Sequence, residues 1–284
     1  MKRICINHVR AFMKFIIVCS CAILAMATAM AARADAIHPT ENDSADDLAR
    51  ASQNPVSAMI SVPFQNNLQI LENNSVLNAL LIQPVVPFKL GTDWNLVTRT
   101  IVPVLALSSP PPGFDKWGLG DIQQSFFFSP AKPTSSGVIW GVGPVLSYPT
   151  ASDTIYGSGK WSAGPGLVAL TMRGPWVIGA LLNNIWSFAG DSDRSRVSFM
   201  SLQPFVNYNL DGGWFLSSAP LINANWVAPS AERWLVPIGG GGGRTFRIGS
   251  QAVTAILTGF YNVERPTGGP EWNIRFQMTF LFPK

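Results

Sequence analysis

Residues 271–284 read Glu-Trp-Asn-Ile-Arg-Phe-Gln-Met-Thr-Phe-Leu-Phe-Pro-Lys. Trp272, Ile274, Phe276, Met278, Phe280 and Phe282 fall in one phase, and Asn273, Arg275, Gln277, Thr279 and Leu281 in the other. Side chains alternate faces along a strand, so one face is wholly apolar and the other mostly polar. A soluble sheet can carry such a strand with its apolar face on a core. A membrane β-barrel ends in the same way, with the apolar side toward lipid and aromatics at both edges of the band. The rest of the sequence separates the two.

Of the 284 residues, 47% are hydrophobic and 13% charged. The charged share is about half the ~25% of an ordinary soluble domain. No long unbroken apolar run follows residue 36, so no membrane helix is available there. Apolar composition without a helical span points to alternating strands.

Residues 1–36 read as a signal peptide. Phe15 to Met30 is apolar, Lys2, Arg3, Arg10 and Lys14 precede it, and Ala32-Arg33-Ala34 and Ala34-Asp35-Ala36 are cleavage candidates. Met13 is an alternative start. All three cysteines, Cys5, Cys19 and Cys21, lie in this segment, so the exported chain is expected to have no disulfides. Removing it takes five basic residues and one acid, leaving 15 of each sign. That balance gives no basis for nucleic-acid binding. Residues 37–56, with Glu41, Asp43, Asp46 and Asp47, read as a polar, solvated periplasmic lead-in. A short helix around Asp46–Ser52 and a plug role are the alternative.

From residue 57 to 284 the pattern predicts an all-β transmembrane antiparallel up-and-down barrel of about 12 strands. The expected strands are 57–66, 78–89, 93–106, 119–129, 136–148, 159–171, 175–188, 196–210, 213–227, 231–246, 251–263 and 271–282. Short turns at 90–92, 173–174, 211–212 and 249–250 alternate with longer links at 67–77, 108–118, 149–158, 189–195 and 265–270. The 130–135 turn is intermediate in length. Gly, Pro, Asn, Asp and Ser dominate these connections. Alternation of this kind means two unequal ends, and an even strand number puts both barrel termini at the short-turn, periplasmic end.

Tryptophans give a second ruler. Trp176 and Trp186 share a phase, as do Trp214 and Trp226. At ~3.3 Å per residue and ~45° tilt these spacings span roughly 23–28 Å along the membrane normal. Trp94, Trp140, Trp161, Trp234 and Trp272 also sit near strand ends, so all nine are expected in a lipid-interface girdle. The difficulty is proline: Pro84, Pro87, Pro103, Pro144, Pro165, Pro204, Pro220 and Pro237 fall inside strands, where each removes a ladder donor.

Gln53-Asn54-Pro55-Val56, Pro63-Phe64-Gln65-Asn66-Asn67, Ile82-Gln83-Pro84-Val85 and Trp94-Asn95-Leu96-Val97-Thr98-Arg99-Thr100 resemble the outer-membrane protein family of the MetA pathway of phenol degradation. So do Gly118-Leu119-Gly120-Asp121, Asn183-Asn184-Ile185-Trp186-Ser187-Phe188 and Gln203-Pro204-Phe205-Val206-Asn207-Tyr208-Asn209. The resemblance implies a bacterial outer-membrane barrel and solute passage, and it transfers no catalytic residues.

Nothing in the sequence assembles a reactive centre. After residue 36 the chain has one histidine, His38, and no cysteine, so a Ser-His or Cys-His site and a His/Cys metal cluster are excluded there. No cofactor or metal is expected, and no enzyme. Asp191 and Asp193 share a loop with Arg194 and Arg196 and read as solvated. Gly239–Gly243 lacks the Lys-Ser/Thr of a phosphate loop and reads as a barrel corner.

The inward phase supplies the candidate lumen lining: Gln83, Asn95, Arg99, Asn183, Gln203, Asn207, Asn223, Asn225, Asn273, Arg275 and Gln277, interleaved with Val97, Ile101, Leu181, Phe205 and Leu221. This mixture suits a narrow amphipathic lumen. The expected function is passive or facilitated passage of small solutes, aromatic or otherwise hydrophobic ones among them, across the cell outer membrane. The alternatives are a closed structural or surface-interaction barrel and, behind it, a membrane-embedded hydrolase. Expected partners are outer-membrane lipid, the solute and the barrel-assembly machinery. Arg99 and Arg275 are expected to find acids, carbonyls or water.

Overall fold

The computed structural model describes residues 44–73, 75–108 and 116–282. The predicted signal peptide, His38 and most of the 108–118 link lie outside the described residues. Among those described, fifteen strand segments form one antiparallel sheet that closes on itself. Three segment pairs are single crossings interrupted midway, so the wall is a barrel of 12 strands.

The crossings, in chain order, are β1 (Ile60–Leu71), β2 (Val76–Ile82 and Val85–Leu90), β3 (Trp94–Ser108), β4 (Lys116–Leu119 and Ile122–Pro130), β5 (Val138–Tyr148) and β6 (Lys160–Arg173). There follow β7 (Trp176–Gly190), β8 (Ser198–Asn209), β9 (Trp214–Ser218 and Ile222–Asn225), β10 (Trp234–Ile248), β11 (Gln251–Glu264) and β12 (Pro270–Phe282). Each pairs with its sequence neighbours, and β12 closes on β1 from Ile60↔Phe282 to Leu71↔Pro270. Closure removes both sheet edges, which an open sheet in lipid could not leave unpaired.

The tight hairpins follow from local chemistry. Gly174 (φ 55°) and Gly249 (φ 61°) each take the first central position of a two-residue turn. A hairpin turn of the II′ kind needs positive φ there, which glycine accepts without steric cost.

The outer face is apolar. Leu216, Ile238, Leu257, Ile274 and Phe276 are exposed along β9 to β12. Two aromatic rows bound this band. At the short-turn end stand Trp94 against Trp140, Trp176 against Tyr208, and Trp214 under the Arg244 guanidinium. At the other end stand Tyr148 with Trp161, Trp226 with Trp234, and Tyr261 with Trp272, together with exposed Trp186. All nine girdle candidates therefore stand near strand ends, in two tiers.

Two expectations need correction. Residues 67–77 are not a long link. β1 runs on to Leu71 and β2 starts at Val76, because Asn66 and Asn78 bond reciprocally (3.2 and 2.9 Å) and Asn67 donates to the Ala79 carbonyl. Asparagine side-chain bonds extend the wall past Asn67, where a link was expected.

The second correction concerns the lead-in: residues 44–56 are not a solvated tail. Ala45–Ser52 is a helix, α1, capped by the Ser44 hydroxyl on the Asp47 amide, with Asp46 and Asp47 in its first turn and Arg50 in its last. It packs into the short-turn mouth. Leu48 and Met59 sit on Ala252 and Leu281, on one side of the mouth. Val56 sits on Val97, Phe127, Val168, Leu181 and Phe205, reaching the other side. Each such apolar side chain contributes roughly 1.5–3 kcal/mol when fully buried. The charged residues are spent on turn backbone: Asp46 accepts from the Gly213 amide (2.6 Å), and Arg50 donates to the Gly174 carbonyl. Gln53 and Asn209 exchange amide bonds (2.9 and 3.2 Å).

The five glycines 239–243 run inside β10 and do not interrupt it. A Cβ on Gly239 or Gly241 would meet the carbonyls of Gly259 and Leu257 at 2.0 and 2.1 Å, so the neighbouring strand backbone leaves no room there.

Candidate functional site

The interior is built by the inward phase and by the interrupted strands. In β9 the break falls at Ala219-Pro220-Leu221, where proline cannot donate to the ladder. The Ala219 carbonyl is left to the lumen and accepts from Arg275 Nη1 (3.0 Å) and Gln203 Nε2 (3.4 Å). In β2 the break falls at Gln83-Pro84, and the buried Gln83 side-chain oxygen accepts from Arg99 Nη2. Two of the in-strand prolines thus mark the places where lumen arginines are held.

Arg275 is 7% exposed. Its Nε donates to Asn67 Oδ1 (3.1 Å), and its guanidinium lies 5.0 Å from the Phe260 ring centroid. Among the described residues neither Arg99 nor Arg275 has a carboxylate partner.

Between α1 and Arg275 is a cavity of about 190 Å³. Gln83, Arg99, Gln203, Asn207, Arg275 and Gln277 line it, with Val85, Leu181, Phe205 and Phe215 as apolar wall and residues 51–55, 57 and 59 as the seal. A second cavity of about 140 Å³ continues on the other side of Arg275, lined by Asn67, Gln69, Asn223, Asn262, Asn273 and Phe260 among others. Nearer the long loops is a vestibule of about 620 Å³ with Asp121, Ser158, Arg194, Arg196 and Asn225 on its walls. Nine of the eleven candidate lumen residues therefore border these three spaces. Asn183 is buried and borders none; Asn95 stands near the short-turn end, opposite Lys89 and Ser129.

The vestibule rim is tied. Asp121 accepts from the Ala151 and Ser158 amides (3.2 and 2.6 Å) and from the Ser158 hydroxyl. Arg194, expected to be solvated, instead donates to the carbonyls of Thr154, Gly157 and Ser158. Glu232 takes the Thr267 amide and hydroxyl (both 2.6 Å), joining two loops. Those bonds from Thr267 hold the Glu232 carboxyl below the usual carboxylate range. The link is therefore complete above that range and is lost as pH falls through the lowered value. We expect the Thr267 amide to lose hydrogen-exchange protection over that acidic window, and Glu232→Gln to flatten the pH dependence.

Two parts of the site are absent from the expected lining: Thr258, which borders the first cavity from β11, and residues 51–55, 57 and 59, which close it and of which only the stretch to Ser52 belongs to the alternative helix reading. Thr258 was legible: it shares the inward phase with Thr254, Ile256, Phe260 and Asn262. Among the described residues no group of His, Cys, Asp and Glu could hold a metal.

Comparison with solved structures shows a likeness to the crystal structure of the COG4313 outer membrane channel from Pseudomonas putida F1. It has a TM-score of 0.62 at 17% identity, over 87% of this chain and 99% of that one. At this identity the likeness speaks for the fold. CdiB from Acinetobacter baumannii (TM-score 0.34, 10% identity, 79% of this chain and 60% of that one) overlaps too loosely to carry an argument. The same holds for a Pseudomonas aeruginosa FadL homologue (TM-score 0.37, 10% identity, 73% and 68%). No protein-family model and no curated protein matches the chain, so the family resemblance rests on the motifs quoted above.

Proposed function

We propose that this protein is an outer-membrane channel for small solutes, aromatic or otherwise hydrophobic ones included, and that it is shut in the described state by residues 44–59. The observation that carries the reading is the sequence of spaces along the lumen. The vestibule, the second cavity and the first cavity follow one another, lined by mixed amide and apolar side chains, and the first cavity is sealed by α1 and the residues after it. A barrel that served only as a wall would have no need of a separate stopper. The two aromatic tiers and the apolar band between them support residence in the outer membrane. The channel named in the Pseudomonas putida structure has the same fold, which supports the same reading here.

If residues 44–59 are the gate, passage requires them to move. Ser52 Oγ lies 3.4 Å from Thr254 Oγ1 on β11. The chain has no cysteine after residue 36, so a Ser52→Cys/Thr254→Cys pair can form a unique disulfide latch. We expect liposome swelling with small solutes to fall to background in the oxidised latch and to return on reduction. Equal swelling in both states would remove the gate role. No swelling in either state, nor in the unaltered protein, would favour the closed structural barrel.

A further inference from the structure

We propose that the cavity beneath α1 is a binding site for a small organic anion, a carboxylate head on an apolar body. Arg99 and Arg275 both line it, and among its described lining residues there is no aspartate or glutamate. Arg275 is buried and Arg99 half-buried, and a charge held away from water is costly unless it is compensated. The partners of these two guanidiniums are neutral: the Gln83 and Asn67 amide oxygens, the Ala219 carbonyl and the Phe260 ring. A guanidinium has five N–H donors, and these bonds use one on Arg99 and two on Arg275.

A third donor, the Thr258 hydroxyl, belongs to the same cavity wall. Thr258 is 4% exposed, lines the cavity and stands directly opposite Arg275 in the β11–β12 register. Its hydroxyl has no hydrogen-bond partner among the described residues. Buried hydroxyls are normally satisfied, so this one is unexplained by the wall alone. Two guanidiniums and a hydroxyl with no anionic acceptor match the oxygens of a carboxylate.

Size and lining set the rest of the ligand. The cavity measures about 190 Å³. A dry cavity of about 150 Å³ is known to hold benzene. Leu181, Phe205 and Phe215 supply an apolar wall for a body of that size. An inorganic anion would leave this wall unused. The inference rests on the channel reading only for the route by which the anion arrives and leaves.

The test is calorimetric titration of the purified, detergent-folded barrel with benzoate, benzyl alcohol, benzylamine and acetate at constant ionic strength. We expect saturable binding of benzoate, weaker binding of acetate, and none of benzylamine. Arg99→Gln should weaken benzoate by about 30-fold or more, as expected for removing one partner of a buried hydrogen-bonded charge pair. Arg275→Gln removes bonds that also hold the wall, so Thr258→Val is the decisive variant. It deletes a hydroxyl that has no partner among the described residues, and should leave thermal stability unchanged while weakening benzoate by about tenfold. Benzyl alcohol binding as tightly as benzoate, chloride competing as strongly as benzoate, or no effect of Thr258→Val would each overturn the proposal. Swelling without benzoate binding would sink the site and leave the channel. Benzoate binding without swelling would sink the channel and leave the site.

Discussion

Phe276→Arg is expected to destabilise the folded barrel by about 2–4 kcal/mol, the cost of an arginine at the lipid-facing midplane. Phe276 is 46% exposed on the outer face of β12, within an apolar band that includes Ile274 and Leu257. It is four residues from Trp272 in the aromatic tier, which places it roughly 9 Å into the membrane at ~3.3 Å per residue and ~45° tilt. There a guanidinium has neither water nor a partner. Gln69→Arg, on the inward face of β1 and lining the second cavity, is the control, since a charge there meets amides and water. Urea unfolding in lipid vesicles, with heat-modifiable gel mobility as the readout, should separate the two by more than 1 kcal/mol. Equal losses would mean that the two faces of the wall are not what we describe.

The same strand shows what was legible in the sequence and what was not. Its alternation fixes the lipid face, and twelve such alternations with unequal connections fix the barrel. Leu281, however, is an apolar residue in the inward phase, and alternation gives no reason for it. In the structure it is fully buried as the seat for Leu48 of α1. Composition favours a solvated lead-in over the alternative, a short helix with a plug role, and the structure has the helix. Ala45–Ser52 is acidic and polar, and such stretches usually face water. Here Asp46 and Arg50 satisfy backbone groups of turns more than a hundred residues away, a pairing with no local signature. Asn67, expected to open a link, is the opposite case, whereas Asn66 and Asn78 lie in strands as expected. Asparagine favours turns in most settings, but bonded to the next strand's carbonyl or amide side chain it completes a wall. The Arg99 and Arg275 positions were legible as inward charges. That both would reach one cavity required the breaks at Pro84 and Pro220, which periodicity does not encode.

Gly164→Ala is expected to be as damaging as a charge in the lipid face, and the reason accounts for the Gly-Pro pairs that the sequence leaves unexplained. Pro144 on β5 and Pro165 on β6 are register partners, and Gly143 is paired with Gly166. Neither proline can donate to the strand on its other side. The β4–β5 ladder accordingly passes from Ser125↔Val145 to Phe128↔Val142 without a pair between. The β6–β7 ladder passes from Ala163↔Trp186 to Gly166↔Asn183 in the same way. In each gap the neighbour's carbonyl presses on the glycine before the proline. A Cβ on Gly143 would lie 1.8 Å from the Phe126 oxygen, and one on Gly164 would lie 1.8 Å from the Asn184 oxygen. These are backbone atoms held by their own ladders, so the strands would have to part. Overpacking of this kind costs about 1–3 kcal/mol, and we expect the upper end here because no side chain can yield. Gly259→Ala is the control: nothing lies within 4 Å of its would-be Cβ, and its effect should stay within about 0.5 kcal/mol. Urea midpoints of the two variants in the same vesicles decide the matter. Equal midpoints would show that the wall at the Gly-Pro pairs is loose enough to open, and these glycines would then need another explanation.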